Sequence, residues 1–354
     1  MISFRDPATG AKVRQITDGA AISHPSYFLQ SSFFPGGKSM FYTSYASGSP
    51  QVWRVSLETA ETAQITRGAP IHPFSAALHP EGEVLVVTRG GSLWAIDIRY
   101  HSERRIFDSA GTELGECSIS RDGEWLTAAY KKGPESGLVA GRFDGSSWQA
   151  IPFPRTVIHP QFHPLEPEWI EFAGDPASRM HRVRRDGTGL ECLYANANDE
   201  FVVHETFVKS SGDLVFTVWP HALRRMDWTT RQITTIAEYN AWHIAPDQRG
   251  ERILCDTNHP DNGIQIIDVA TGACRQLCLS QSSNQGTQWR KSSYAVASDF
   301  ADARKNLSWM ENAADTVYGP QYTHPHPSWS FEEDKIAFAS DRTGVTQVYV
   351  VEVA

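Results

Sequence analysis

The chain has 354 residues, of which 40% are hydrophobic and 21% charged, a composition typical of a globular protein with an ample core. Its net charge of −9 at pH 7 argues against a general nucleic-acid binder, which would carry a basic face. No apolar run reaches the length of a membrane-spanning helix. Neither nucleic acid nor a membrane is therefore an expected partner.

The N-terminal residues and the cysteines predict the compartment. The stretch MISFRDPATGAKVRQIT has no apolar core of the kind that a signal peptide needs. The five cysteines, an odd number without a CxxC pair, are expected to be free thiols in a reducing environment. We therefore expect a cytoplasmic protein.

Seven related segments follow one another along the chain. Each has a polar turn, an alternating apolar strand, a second turn and a second strand, and most end in another short strand. Their first turns lie 35 to 47 residues apart, except for a last step of 85, and fall at Pro35, Pro80, Arg121, Pro164, Ser211, Pro246 and Phe331. This period is typical of a β-propeller blade. We predict an all-β, seven-bladed β-propeller that forms one domain over residues 1–354.

The two ends of the chain are expected to share the last blade. The seventh segment ends at VYVVEVA without a final strand, and ATGAKVRQIT, residues 8–17, resembles the missing strand. An N-terminal strand in that place leaves no sheet edge open. We interpret the long last step as a blade plus an insertion, at about residues 280–317, whose composition predicts a partly helical segment.

Histidines stand just before the predicted innermost strand in six of the seven segments. They are His24, His72, His159, His204, His243 and the pair His324 and His326. Innermost strands line the central channel of a propeller, so the pattern predicts a group of imidazoles near one mouth of that channel. For His24, His72 and His159 we favour a structural role, in hydrogen bonds to a neighbouring blade.

One of the segments that precede an innermost strand differs from the others. It is QYTHPHP, which contains Gln321, His324 and His326. The two histidines alternate along a strand and so point to one side, and the glutamine reaches the same point if the chain bends. Two imidazoles and an amide oxygen suit Mn²⁺ or a similar divalent ion. A third imidazole is expected from the preceding blade, where His243 is preferred to His259 because the latter falls in a turn.

The architecture and this motif together resemble the oligogalacturonate lyases, seven-bladed propellers of polysaccharide lyase family 22. The similarity covers most of the chain and is strongest in SRMHRVRRDGTG, in VVHETF and in THPHPSWS with the following IAFASDRTGVTQVYV. The resemblance implies that Gln321, His324, His326 and His243 bind the metal, for which Mn²⁺ is preferred.

The resemblance also implies two catalytic residues. His204 of VHETF corresponds to the general base, and Arg179 of SRM, 25 residues earlier, to an assisting cation. The implied reaction is a metal-dependent β-elimination on short oligogalacturonides. The base removes the C5 proton of a uronate, the metal neutralises its carboxylate, and the C4 oxygen leaves, which gives a 4,5-unsaturated product.

Two alternatives stay open. The insertion and the turn CDTNHPDNG differ from the family's pattern, so the substrate could be another oligouronide, such as a glucuronate-containing glycan. A non-catalytic, TolB-like binding propeller would also explain the blades, but it does not require the QxxHxH motif, His204 and Arg179 together. A serine peptidase propeller is excluded because no GxSxG motif is present.

Overall fold

The computed structural model describes residues 1–175, 178–197, 200–258, 260–284 and 323–353. These residues form strands and turns and contain no α-helix. The strands lie in seven antiparallel sheets, which confirms the predicted seven-bladed β-propeller. None of the described residues belongs to a helix long and apolar enough to cross a membrane.

Each blade is one antiparallel sheet. Its strands are consecutive in sequence except in blade 7, which also contains the first two strands of the chain, β1 (Ile2–Arg5) and β2 (Lys12–Gln15). Blade 1 contains β3 (Ser23–His24), β4 (Ser39–Ser44), β5 (Gln51–Ser56) and β6 (Thr62–Gln64); blade 2 contains β7 (Ala77–Leu78), β8 (Val84–Arg89), β9 (Ser92–Asp97) and β10 (Glu103–Asp108). Blade 3 contains β11 (Glu113–Ile119), β12 (Trp125–Lys132), β13 (Glu135–Arg142) and β14 (Gln149–Phe153); blade 4 contains β15 (Thr156–Phe162), β16 (Trp169–Asp175), β17 (Met180–Arg184) and β18 (Glu191–Cys192). Blade 5 contains β19 (Phe201–Phe207), β20 (Leu214–Trp219), β21 (Ala222–Met226) and β22 (Ile233–Ala237); blade 6 contains β23 (Ile244–Pro246), β24 (Arg252–Cys255), β25 (Ile264–Asp268) and β26 (Cys274–Cys278). Blade 7 contains β27 (Ser328–Trp329), β28 (Lys335–Ser340) and β29 (Gln347–Glu352), and it also includes β2 and β1.

Apolar clusters between neighbouring blades close the ring. Phe41 of blade 1 packs in one cluster with Leu85 of blade 2, and Met40 of blade 1 packs in another with Val350 of blade 7. Among the described residues there is one such cluster for each of the seven pairs of neighbouring blades. Burial of these faces from water is the main driving force that holds the blades in a circle.

The N-terminal strand completes blade 7, as the sequence predicts. Strand β2 pairs antiparallel with β29, with Val13 opposite Val351 and Gln15 opposite Tyr349. Strand β1 then pairs with β2 as a fifth strand, which the sequence did not predict. Most of the predicted insertion, including the part predicted to be helical, lies outside the described residues. The extent of a single domain over the whole chain stays a prediction.

Replacing Val13 by alanine should lower the free energy of unfolding by about 1–3 kcal/mol, because two methyl groups leave a buried site. Val13 is fully buried in the cluster between blades 6 and 7. Ser3→Ala, at an exposed position of β1, is the matched control and should change stability by less than about 0.5 kcal/mol. Urea unfolding measures both. Equal stabilities for the two variants would contradict a stabilising role for the closure.

Candidate functional site

Two inner strands bend at histidines, one of which, His204, is a predicted site residue. The pairing register of β15 with β16 shifts at His159, and that of β19 with β20 shifts at His204. Both residues have positive φ angles, 57° and 56°, which are uncommon for residues other than glycine. A β-bulge redirects the side chain it carries. The two imidazoles consequently approach each other, with ring centroids 5.8 Å apart.

Three predicted metal ligands form a compact cluster. His243 precedes the first strand of blade 6, and His324 and His326 precede the first strand of blade 7. One ring nitrogen from each histidine lies within 4.8 Å of the other two. All three side chains are buried, with exposed fractions of 1%, 2% and 1%. Gln321, the predicted fourth ligand, and His259, the rejected competitor, lie outside the described residues.

The surroundings of His326 fit a metal ligand. Its two ring nitrogens are buried and have no hydrogen-bond partner among the described residues. A buried polar group without a partner costs free energy, and coordination of a cation by one nitrogen would remove part of that cost. Burial, reinforced by neighbouring imidazoles, lowers the pKa of His326 and of His243 well below the ordinary value. Neutral imidazole is the form that binds metals such as Mn²⁺.

Asp256 contacts two of the three clustered histidines. Its Oδ1 accepts the backbone N–H of His243 at 2.8 Å, and its Oδ2 lies 2.8 Å from His243 Nδ1. The same Oδ2 accepts the backbone N–H of His326 at 3.2 Å. Burial raises the pKa of Asp256 to about 7, although these backbone donors favour the ionised form. Sequence reasoning missed this residue, although it lies in the turn CDTNHPDNG that departs from the family pattern.

His204 lies beside the cluster. Its ring centroid is 4.4 Å from that of His243. The rings of Phe28 and Trp242 lie nearly perpendicular to it, with centroids at 5.3 Å and 4.6 Å. Its Nδ1 is buried and has no hydrogen-bond partner in the described part of the chain. Burial, followed by the charge that His243 would carry, lowers the pKa of His204 well below its ordinary value. The side chain is thus a neutral imidazole near pH 7, able to accept a proton.

Arg179 reaches the site through an ion pair. Its Nε donates to Glu205 Oε1 at 2.6 Å, and its Nη2 lies 3.3 Å from His159 Nδ1. Glu205 follows His204 in the bulge of β19, so the ion pair connects the two predicted catalytic residues. Both partners are buried. Sequence reasoning predicted Arg179 but missed Glu205, although this glutamate is the next letter of the VHETF motif.

The other strand-entry histidines have different surroundings. His24 Nδ1 lies 2.9 Å from the carbonyl oxygen of the next residue, and His72 Nδ1 accepts the amide N–H two residues further on, at 3.4 Å. These local bonds agree with a structural role, although they do not reach a neighbouring blade. His159, by contrast, contacts Arg179 and also has its Nε2 2.8 Å from the hydroxyl of Tyr27.

A small aromatic cluster covers the imidazoles. Tyr27, Phe28 and Phe74 pack together and are buried. The ring centroids of Tyr27 and Phe74 lie 5.1 Å and 5.4 Å from that of His326, and the ring of Phe28 lies 5.3 Å from that of His243. Exclusion of water by these rings strengthens the electrostatic interactions beneath them.

The chain is similar over nearly its whole length to two curated lyases. It is 21% identical over 387 residues to an oligogalacturonide lyase of Pectobacterium atrosepticum and 21% identical over 391 residues to an oligogalacturonate lyase of Dickeya dadantii. Each alignment covers 99% of this chain and 95% of the relative. No family model matches the chain.

Solved structures of proteins with the same name share the fold. The chain superposes on oligogalacturonate lyase in complex with manganese with a TM-score of 0.84 and 19% identity. It superposes on oligogalacturonate lyase from Vibrio parahaemolyticus with a TM-score of 0.80 and 18% identity. Both matches cover 100% of this chain and 96% of the other. The chain therefore has the fold of these two solved structures.

Replacing Glu205 by glutamine should lower the free energy of unfolding by about 3–5 kcal/mol, because it removes the negative charge that lies 2.6 Å from the buried guanidinium of Arg179. Glu191→Gln is the matched control. It removes the partner of Arg182 at a site where the glutamate is 45% exposed, and should cost less than about 1 kcal/mol. Guanidinium chloride unfolding at neutral pH measures both variants.

The effect of Glu205→Gln should also depend on pH. Burial raises the pKa of Glu205, but Arg179 and His159 outweigh it and lower the pKa below the ordinary value. A lowered folded-state pKa contributes stability above the unfolded-state pKa, about 4.3, and that stability is lost as the pH falls further. The difference between wild type and variant should therefore shrink below that pH. A difference that is small or constant with pH would contradict the ion pair.

Proposed function

We propose that this protein is a lyase that cleaves short oligogalacturonides by β-elimination. The observation that carries the proposal is the buried group of His243, His324 and His326 with the neutral imidazole of His204 next to it, at 4.4 Å between ring centroids. Similarity to two proteins named as lyases of this substrate, along nearly their full lengths, supports the substrate class.

The three clustered imidazoles would hold a divalent cation, with Gln321 as the proposed fourth ligand. Mn²⁺ is the proposed ion, because a solved structure with the same fold is a manganese complex. When bound, such a cation neutralises a uronate carboxylate and makes the proton on the adjacent carbon easier to remove.

His204 is the proposed general base. A base for this reaction has to stand next to the metal that binds the carboxylate, and His204 lies beside the proposed metal ligand His243, which supports this role. It would take the C5 proton, the C5–H electron pair would form the C4–C5 double bond, and the C4–O bond would break with its electrons on the leaving oxygen. The product would carry a 4,5-unsaturated uronate end.

Arg179 is the proposed assisting residue. Its guanidinium is permanently charged and can donate hydrogen bonds to the carboxylate or to the negative charge that develops on it. The ion pair with Glu205 fixes its position and offsets its charge. We therefore expect Arg179 to act mainly as an oriented hydrogen-bond donor.

Two further proposals concern the whole chain. The closed ring of interblade clusters supports one propeller domain over residues 1–354. The five cysteines are free thiols, which supports a reducing compartment such as the cytoplasm.

Incubation with digalacturonate or trigalacturonate and Mn²⁺ should produce the ultraviolet absorbance of a conjugated uronate, and EDTA should abolish it. His204→Ala should lower kcat by roughly 100-fold or more, the usual contribution of a general base. His221→Ala, at an exposed histidine, is the control and should retain full activity. Product from glucuronate-containing glycans alone would indicate another uronide lyase. Absence of product from every uronide would favour the binding-module alternative.

The metal-free protein should bind Mn²⁺ saturably, and His326→Ala should abolish that binding, because the cluster then loses one of its three imidazoles. The signal of free Mn²⁺ in electron paramagnetic resonance titrations measures the bound fraction directly. His221→Ala again serves as the control and should bind like the wild type. Unchanged affinity in His326→Ala would show that Mn²⁺ binds elsewhere.

A further inference from the structure

We infer that Asp256 is the positioning residue of the metal site: it selects the tautomer of His243 and fixes the backbone of His326. The inference rests on the proposed use of the three imidazoles as metal ligands. Asp256 follows β24 in blade 6, and its side chain is fully buried. Its carboxylate therefore acts on two ligands that neighbouring blades supply.

The first action concerns the ring of His243. Its Nδ1 lies 2.8 Å from Asp256 Oδ2. Both oxygens of this carboxyl group accept backbone N–H groups, which places the group as an acceptor toward the ring as well. The proton of the neutral imidazole is then on Nδ1, which leaves the lone pair on Nε2 for a cation. A carboxylate behind a histidine ligand is the usual way in which proteins orient such a ring and increase its basicity.

The second action concerns the backbone of both ligands. Oδ1 accepts the N–H of His243 at 2.8 Å, and Oδ2 accepts the N–H of His326 at 3.2 Å. His326 has a φ angle of 45°, an uncommon conformation that costs on the order of 1–3 kcal/mol and persists only where the surroundings hold it. The bond to Asp256 is one such restraint. One side chain thus holds the ligands of blades 6 and 7 at a fixed separation.

Replacing Asp256 by asparagine distinguishes a positioning role, which depends on two acceptor oxygens, from a role that depends only on the volume of the side chain. It has nearly the same shape, but it offers one acceptor oxygen and an NH₂ donor where the carboxylate offers two acceptors. If the asparagine NH₂ group takes the place of Oδ2, this donor faces His243 Nδ1 and the backbone N–H of His326. With the NH₂ at the Oδ1 position, it faces the N–H of His243. Either orientation leaves the backbone N–H of one ligand opposite another donor.

The test is the affinity of the full chain for Mn²⁺ alone, compared between wild type, Asp256→Asn and Asp247→Asn. Asp247 is the matched control: it is a buried carboxylate of the same blade that accepts from Arg252 and lies outside the histidine cluster. Asp256→Asn should bind Mn²⁺ roughly 10- to 100-fold more weakly, the usual effect of losing such a partner. Asp247→Asn should bind like the wild type, even if its thermal stability falls.

A second measurement decides the tautomer without metal or substrate. Long-range ¹H–¹⁵N spectra of metal-free protein with labelled histidine, with the signal of His243 assigned by His243→Gln, should show the Nδ1–H form in the wild type. An Nε2–H form, with the shared proton on Asp256, would overturn the inference, as would wild-type Mn²⁺ affinity in Asp256→Asn. Failure of the proposed function would give a different result: the wild type would show the Nδ1–H form of His243 and would bind Mn²⁺, but it would cleave no uronide.

Discussion

Burial of imidazoles in the centre of the propeller is the constraint on which the rest of the site depends. An imidazole removed from water needs a partner for its polar nitrogens, and the histidines at the entries of the inner strands differ in the partners that they have. His24 and His72 use backbone groups close in sequence. His243 uses a carboxylate. His326 has no partner among the described residues, and that deficit is what points to a cation.

Two buried carboxylates orient the charged and imidazole side chains of the site. Glu205 holds Arg179 against the bulge that carries His204, and Asp256 holds the ring of His243 from behind. A buried ion pair contributes little net stability when compared with a well-packed apolar pair, but its directionality restricts the geometries that the site can adopt. The same side chains thus cost free energy in folding and supply the preorganisation that catalysis requires.

The sequence predicts the blades well because the pattern behind them is local: alternating strands, turn residues and a repeat of about forty residues. It also predicts the three clustered imidazoles, since strand entries in consecutive blades meet at one mouth of the channel. It does not predict Asp256 as a partner of His326, because 70 residues separate the two and nothing in their spacing encodes the contact. Strand β1 was missed for a different reason: its pairing partner β2 lies close in sequence but was already assigned as the closing strand of blade 7.

Closure by β2 also has a consequence for biosynthesis. Blade 7 combines the first strands of the chain with β27 to β29, and His324 and His326 enter this blade just before β27. On the ribosome, blades 1 to 6 can form in order as they emerge, whereas β2 has to wait for β29. The ligand cluster is therefore among the last parts to assemble. A polypeptide released before residue 324 would contain most of the propeller and both proposed catalytic residues, yet only one of the three clustered imidazoles.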